Sequence, residues 1–368
     1  MADRIQAIDV LRGVTVALMI VVNTSAVEST AFAPLLHADW NGLTLADLVF
    51  PTFLFVVGAA HSFVLDRYGR TEPSAVLRKI AIRTLLIFLC GYLLEWFPFF
   101  SVDSSGHLAL VTIAHTRILG VLQRIALCYG CAALIVHAWR IRGAVVFGIG
   151  ALLGYWWLLY MFGDYTATGN AILKVDRLVL GEEHMHHAAG VAFDQEGLLS
   201  TLPAIVNVLA GYLTGRFLVV RGTGPSTITR LVLAGALCAL IALCWNTILP
   251  FNKNLWTSSY VLCATGIDLA VLAVLIHFVS VGTNRAWVRF LGVFGRNALF
   301  VYMFCEAGNS IMNVIQPQGA NLFSAASSPG IGAWLASEPG SLFVSIICML
   351  LCWCLTYAVD RSGLRIKI

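Results

Sequence analysis

Apolar runs of about 20 residues, parted by short polar connections, recur ten times along the chain, and each is long enough to cross the hydrocarbon core of a bilayer as a helix. The pattern predicts spans near 8–26, 45–65, 79–97, 118–138, 143–162, 199–219, 230–249, 257–281, 291–315 and 341–359. An all-α integral membrane protein of about ten helices, a single transmembrane domain over residues 1–368, is the fold expected. The Ser/Gly/Pro/Ala-rich stretch from Ser324 to Gly340 reads as a loop.

The connections differ in charge. Of 23 Lys and Arg residues, 18 lie beside the termini and the even-numbered connections; Arg117, Arg124, Lys174, Arg177 and Lys253 are the others. Basic residues are retained on the cytoplasmic side. Both termini are therefore expected in the cytoplasm, with 27–44, 98–117, 163–198, 250–256 and 316–340 facing outward. The first span follows a handful of residues without a small-residue cleavage site, as expected of an uncleaved anchor.

Composition strengthens the membrane reading. Hydrophobic residues make up 59% and charged residues 11%, with mean hydropathy +0.84, which a soluble domain could not hide. The net charge of +4 follows from topology, so membrane lipid and not nucleic acid is the expected partner. All ten cysteines fall inside spans, where they act as small apolar fillers rather than disulfides or nucleophiles.

Against that apolar background the segment from His37 to Pro51 stands out. His37 is of the residue type suited to proton exchange near neutral pH, Asn41 both donates and accepts, and Asp47 opens a helix that enters lipid at once, where an unpaired carboxylate is costly. A His37–Asp47 pair would relieve that cost. Asn23, Arg124 and the run Asn252-Lys253-Asn254 reach the same depth from three other segments. Each alone could be interhelical glue. Together they predict an outward-facing polar site.

A second polar level lies at the cytoplasmic depth. Arg12 sits a turn inside the first span after Asp9, Arg83 a turn inside the third, and Arg296-Asn297 follows Gly295 in the ninth. Snorkelling explains such arginines as well as ligand binding does. Guanidinium groups do suit phosphate oxygens, though, and Arg12 and Asn23 are roughly 16 Å apart along one helix at 1.5 Å per residue. Coenzyme A, with a phosphorylated nucleotide and a long arm ending in a thioester, matches two such levels. The candidate donor-binding residues are Arg12, Arg83, Arg124, Arg296 and Asn297. His184, His186 and His187 resemble metal ligands in composition but lack a spaced second pair, and no metal is expected.

The runs Ile8-Asp9-Val10-Leu11-Arg12-Gly13, His37-Ala38-Asp39-Trp40-Asn41-Gly42-Leu43-Thr44 and Ala46-Asp47-Leu48-Val49-Phe50-Pro51 resemble the heparan-alpha-glucosaminide N-acetyltransferase family. Gly120-Val121-Leu122-Gln123-Arg124, Leu180-Gly181-Glu182-Glu183-His184, Phe193-Asp194-Gln195-Glu196-Gly197-Leu198 and Asn252-Lys253-Asn254-Leu255-Trp256 extend the likeness in the same order. The resemblance implies acetyl transfer from cytosolic acetyl-CoA to an amino sugar across the membrane, with His37 as the catalytic histidine and Asn23 and Asp47 at family positions. The amino-terminal lumenal portion of the lysosomal enzyme is missing from the match. That resembles bacterial members, so a multi-pass protein of the bacterial inner membrane acting on glucosamine or an amino-sugar-terminated saccharide is expected.

The chemistry assigns roles within that frame. His37 is the expected general base, Asp47 the group that holds its tautomer, and Asn23 with Asn41 the donors to the oxyanion or sugar hydroxyls. Trp40, Glu196, Asn252, Lys253 and Asn254 are the candidate acceptor-binding residues. Direct transfer is expected, with an acetyl-histidine intermediate as the alternative. The rival function is a permease for N-acetylglucosamine or a related sugar, against which stands the lack of visible paired broken helices. Oligomeric state is open, with a homodimer as the candidate assembly.

Overall fold

The computed structural model describes residues 5–24, 31–68, 72–102, 107–188, 191–282, 285–315 and 337–363. Most of the stretch read as a loop from Ser324 onward lies outside them. Helices dominate: α1 Gln6–Thr24, α2 Val49–Tyr68, α3 Pro73–Trp96, α4 Val121–Phe162, α5 Ala171–Leu180, α6 Thr201–Arg221, α7 Pro225–Asn246, α8 Ser258–Val281, α9 Ala286–Arg296, α10 Ala298–Ile315 and α11 Glu338–Arg361. Two antiparallel ribbons, Phe100–Val102 with Leu108–Leu110 and His187–Ala188 with Val191–Ala192, trim the connections.

Local chemistry sets the helix ends. Proline opens α3 and α7, where its missing N–H costs nothing. Asn170 caps α5 by accepting from the Leu173 amide at 2.8 Å. Gly222, at φ 72, closes α6.

Seven helical segments among the described residues are long and apolar enough to cross a membrane: α1, Ala46–Phe63, α4, α6, α7, α8 and α11. The bent pair α9 and α10 would make an eighth. Ten crossings would further require α4 to cross twice and α3 to cross while carrying Arg78, Lys79, Arg83 and Glu95. At 42 residues α4 runs roughly 63 Å, about double a hydrocarbon core, and its path breaks at Arg140, φ 54.

One expectation needs correction. The ninth span, read as continuous over 291–315, is two helices bent by 69°. At the break, Asn297 donates its side-chain amide to Val293 O at 3.0 Å and to Asp360 Oδ1 at 3.1 Å, so the backbone leaves its helical path where a polar side chain takes over the bonding. The connection at 163–198 carries α5. Buried Ala171, Ile172 and Leu173 anchor that short helix on the protein.

Helices α2, α4, α6 and α8 form the interior around Leu54, Ala126, Ala204, Val208 and Tyr260. At Gly58 and Gly211 the backbones of α2 and α6 touch. A Cβ at Gly58 would collide with Val208 O, and one at Gly211 with Phe55 O. Gly295 likewise rests on Asp9 O, and Gly13 on Leu291 O, which docks α9 against α1 and sets Arg296 near Arg12. By contrast α7 leaves Leu233, Leu237 and Leu240 exposed, and α11 leaves Leu351 and Leu355 exposed, as helices in contact with lipid do.

Candidate active site

His37 and Asp47 form a pair. The imidazole Nδ1 lies 2.8 Å from Asp47 Oδ1, while Asp47 Oδ2 accepts from the amides of Ala38 at 3.2 Å and Thr44 at 3.0 Å and from the Thr44 hydroxyl at 3.0 Å. The turn at Ala46–Leu48 that leads into α2 therefore holds a carboxylate 1% exposed with both oxygens hydrogen-bonded. A carboxylate only accepts, so Nδ1 carries a proton, and in the neutral ring Nε2 keeps its lone pair. With the side chain of His37 49% exposed, that lone pair is open to a ligand.

The connection between α7 and α8 is laid over this pair. Gly42 N donates to Phe251 O at 2.8 Å, and the Asn252 amide donates to Asn41 Oδ1 at 3.1 Å. Those bonds bring Lys253 Nζ to 3.1 Å from His37 Nδ1 and 3.3 Å from Nε2, and to 3.9 Å from Asp47 Oδ1. Near-equal distances put Nζ close to the plane that bisects the two nitrogens, off the lone-pair axis of each. Burial pulls the lysine below its ordinary pKa, against the opposing pull of Asp47 and Glu196.

His37 opens onto a cavity of about 490 Å³ lined also by Asn23, Glu95, Arg117, Glu196, Lys253 and Glu306. Sequence reading placed Asn23, His37, Glu196 and Lys253 at such a site but passed over Glu95, Arg117 and Glu306. A carboxylate inside the apolar run of α10 and an arginine among the few on the outward side were the available signals. Arg117 binds Asp194 through Nε at 3.0 Å and Nη2 at 2.6 Å, reaches Glu196 at 2.5 Å, and lies 3.6 Å from Glu95. Burial would lower the pKa of Arg117, but Asp194, Glu196 and Glu95 outweigh it and raise it. Burial would raise that of Glu196, but Arg117, Arg124 and Lys253 bring it down. Glu306 accepts from Asn23 Nδ2 at 3.2 Å, and among the described residues no Lys or Arg pairs with it.

Other sequence candidates lie behind the cavity wall. Trp40 donates its indole N–H to Tyr165 O at 2.7 Å and packs edge-on against Phe193. Asn41 and Asn252 tie the two loops together, and Asn254 is in neither cavity lining. Arg124 is fully buried, donating to Gly197 O at 3.2 Å and to the Ser200 hydroxyl, with its guanidinium 4.9 Å from the Trp256 ring centroid. His184 faces Thr116 O through Nδ1 at 3.0 Å, and His186 lines the His37 cavity. The side chain of His187 lies outside the description.

Arg12, Arg83 and Arg296 converge on a second cavity, of about 270 Å³. Arg12 donates to Gly295 O at 3.1 Å and lies 3.7 Å from Asp9, while Arg296 is matched by Asp360 through bonds of 3.2 and 2.6 Å. Asn297 serves that same Asp360. Arg83 covers the face of Tyr129 at 4.7 Å, its Nε buried without a partner. Phe53, Ile125 and Tyr302 line both cavities, so the two chambers share a wall at these side chains.

Comparison with known proteins bears on the family. The sequence profile of the heparan-alpha-glucosaminide N-acetyltransferase catalytic region matches residues 4–251, from the first turn of α1 through the His37 loop to the edge of the Lys253 loop. The heparan-alpha-glucosaminide N-acetyltransferase of Homo sapiens is 28% identical over 357 residues, covering 82% of this chain and 52% of the human protein. That of Mus musculus is 27% identical over 359 residues, with 82% and 53% covered. The chain thus spans about half the length of the curated relatives it matches. By its sequence from α1 through the His37 loop and beyond, this chain belongs to the heparan-alpha-glucosaminide N-acetyltransferase family.

Proposed function

We propose that the protein moves an acetyl group from acetyl-CoA, entering from the cytoplasm, to the amine of glucosamine or an amino-sugar-terminated saccharide bound at the opposite face of a bacterial inner membrane. In this reading about ten helices cross, both termini are cytoplasmic, and the arginine cavity is the donor side. The observation that carries it is the shared wall: His37 of the His–Asp pair opens onto one chamber, arginines onto the next, and Phe53, Ile125 and Tyr302 line both. A thioester arm crossing that wall would meet Nε2 of His37.

The residues support an ordered set of steps. Arg12, Arg83 and Arg296 would hold the donor phosphates by charge-assisted hydrogen bonds. Glu95 and Glu306 exceed the cationic partners available to them and suit an acceptor that arrives as an ammonium ion. One of them takes its first proton. The free amine attacks the thioester carbonyl while Nε2 of His37 removes the second proton, and Asn23 donates to the developing oxyanion. Collapse breaks the carbon–sulfur bond, and the imidazolium protonates the departing thiolate, leaving an amide and free CoA. Asp47 keeps the ring in the tautomer this requires. Asn41, Asn252 and Lys253 act by holding the loop over the imidazole.

The test is release of free CoA from acetyl-CoA by the purified protein on addition of glucosamine, with H37A as control. Glucosamine-dependent release abolished by H37A is expected. A permease would release none, and turnover retained by H37A would remove His37 from the chemistry.

A further inference from the structure

His61 is a buried histidine that the mechanism above leaves unused. It lies on α2, 3% exposed, and neither of its ring nitrogens has a hydrogen-bond partner. Such a group gives up its bonds to water without replacement, which is unfavourable unless a ligand supplies them. The side chain lines the arginine cavity in a stripe with Phe53, Val57 and Ala60. Its ring meets Tyr129 edge-on at 5.2 Å, and Arg83 covers the face of that same tyrosine with its own Nε unpartnered. Two side chains that line one cavity thus hold three buried polar atoms without protein hydrogen-bond partners.

The two side chains want different ligand groups. Arg83 has donors alone, which phosphate oxygens satisfy. Neutral imidazole has one N–H and one lone pair pointing apart, so it is satisfied by ligand groups that between them both accept and donate. Position narrows the choice. His61 is eight residues along α2 from Phe53 in the shared wall, about 12 Å deeper at the helical rise. An arm whose thioester reaches His37 beyond Phe53, and whose phosphates end among Arg12 and Arg83, passes His61 with its phosphate-proximal half.

We infer that His61 hydrogen-bonds the pantetheine arm of a coenzyme A donor, one ring nitrogen taking the hydroxyl of the pantoyl segment and the other an amide further along the arm, while Arg83 takes the phosphates; this rests on the donor reading above. His61 is then a specificity residue that distinguishes coenzyme A from a nucleotide lacking the arm.

The test uses the full chain in detergent and calorimetric titration with CoA and with adenosine 3′,5′-bisphosphate, which has the nucleotide without the arm. H61F preserves the ring against Tyr129 and removes both nitrogens; H61Q restores a donor and an acceptor. The expected result is CoA affinity at least tenfold weaker in H61F, bisphosphate affinity within twofold of wild type, and most of the loss recovered in H61Q. An unchanged CoA affinity in H61F overturns the inference, as does an equal loss for the bisphosphate, which would place His61 at the adenine or phosphates. Should H61F not fold, the wild-type protein decides: a CoA analogue with hydrogen in place of the pantoyl hydroxyl should bind about tenfold more weakly, and equal binding overturns the assignment. Wild type that binds neither CoA nor the bisphosphate overturns the donor reading and this inference with it, a pattern distinct from failure confined to the His61 comparisons.

Discussion

Replacing Asp47 by asparagine tests the His–Asp pair with almost no change of shape. Asp47 Oδ2 faces three donors, the amides of Ala38 and Thr44 and the Thr44 hydroxyl, whereas Oδ1 has one hydrogen-bond partner, His37 Nδ1, with Lys253 Nζ at 3.9 Å. An asparagine has one oxygen to place. Turning its NH2 toward three donors is worse than turning it toward one, so the amide nitrogen is expected to face His37. Nδ1 must then accept, the ring proton moves to Nε2, and the nitrogen that should receive a proton already holds one. In a serine-protease triad the same exchange lowers turnover by about 10⁴. Because the His37 side chain is 49% exposed and can partly reorient, a fall of about 10³–10⁴ in kcat is expected, roughly 4–5.5 kcal/mol of barrier. The assay is steady-state CoA release at saturating acetyl-CoA and glucosamine, alongside CoA binding and thermal melting, both of which should change little. A folded D47N protein with kcat within about tenfold of wild type would refute the tautomer argument.

Three further outcomes are expected. E306Q should raise KM for glucosamine by about tenfold or more, the order of a lost charge-assisted hydrogen bond, and leave CoA binding alone; an unaltered KM would remove Glu306 from the acceptor site. R117A leaves Asp194 and Glu196 without their cation and should cost about 3–5 kcal/mol, seen as a lower Tm that R117K partly restores; an unchanged Tm would show the network to be dispensable. Burial pushes the Asp176 carboxyl up from its ordinary 3.8 to about 6, so between about pH 4 and 6 the folded state binds a proton that the unfolded chain has lost, and stability falls as pH rises through that window and stays low above it. D176N removes the penalty. Its Tm should exceed that of wild type at pH 7 and converge with it near pH 4, and a gap independent of pH would refute the assignment.

Much of the site was visible along the chain because its residues were costly where they stood. Asp47 at the mouth of an apolar run demanded a partner, and the nearest histidine ten residues away is that partner. Arg12, Arg83 and Arg296 were conspicuous for the same reason, and they converge on one cavity. Arg124 was as conspicuous and lies elsewhere, against Trp256 and Ser200, because depth in a membrane does not reveal which way a helix is rotated. Glu95 and Glu306 belong to the cavity lining, yet in sequence each is one carboxylate on a different helix.

The order of apolar runs, their caps and the polar residues among them determined by themselves that this chain is a helical membrane protein and which side chains needed a partner. Those outcomes follow from local costs: an unbonded backbone group or a lone charge is unfavourable in lipid whatever its neighbours are. Helix rotation, the 69° break at Asn297 and the meeting of two cavities at Phe53, Ile125 and Tyr302 were decided only in three dimensions. They depend on close approach between segments far apart in sequence, as at Gly58 and Gly211 or Gly295 and Asp9, where backbone meets backbone and one added carbon would part the helices.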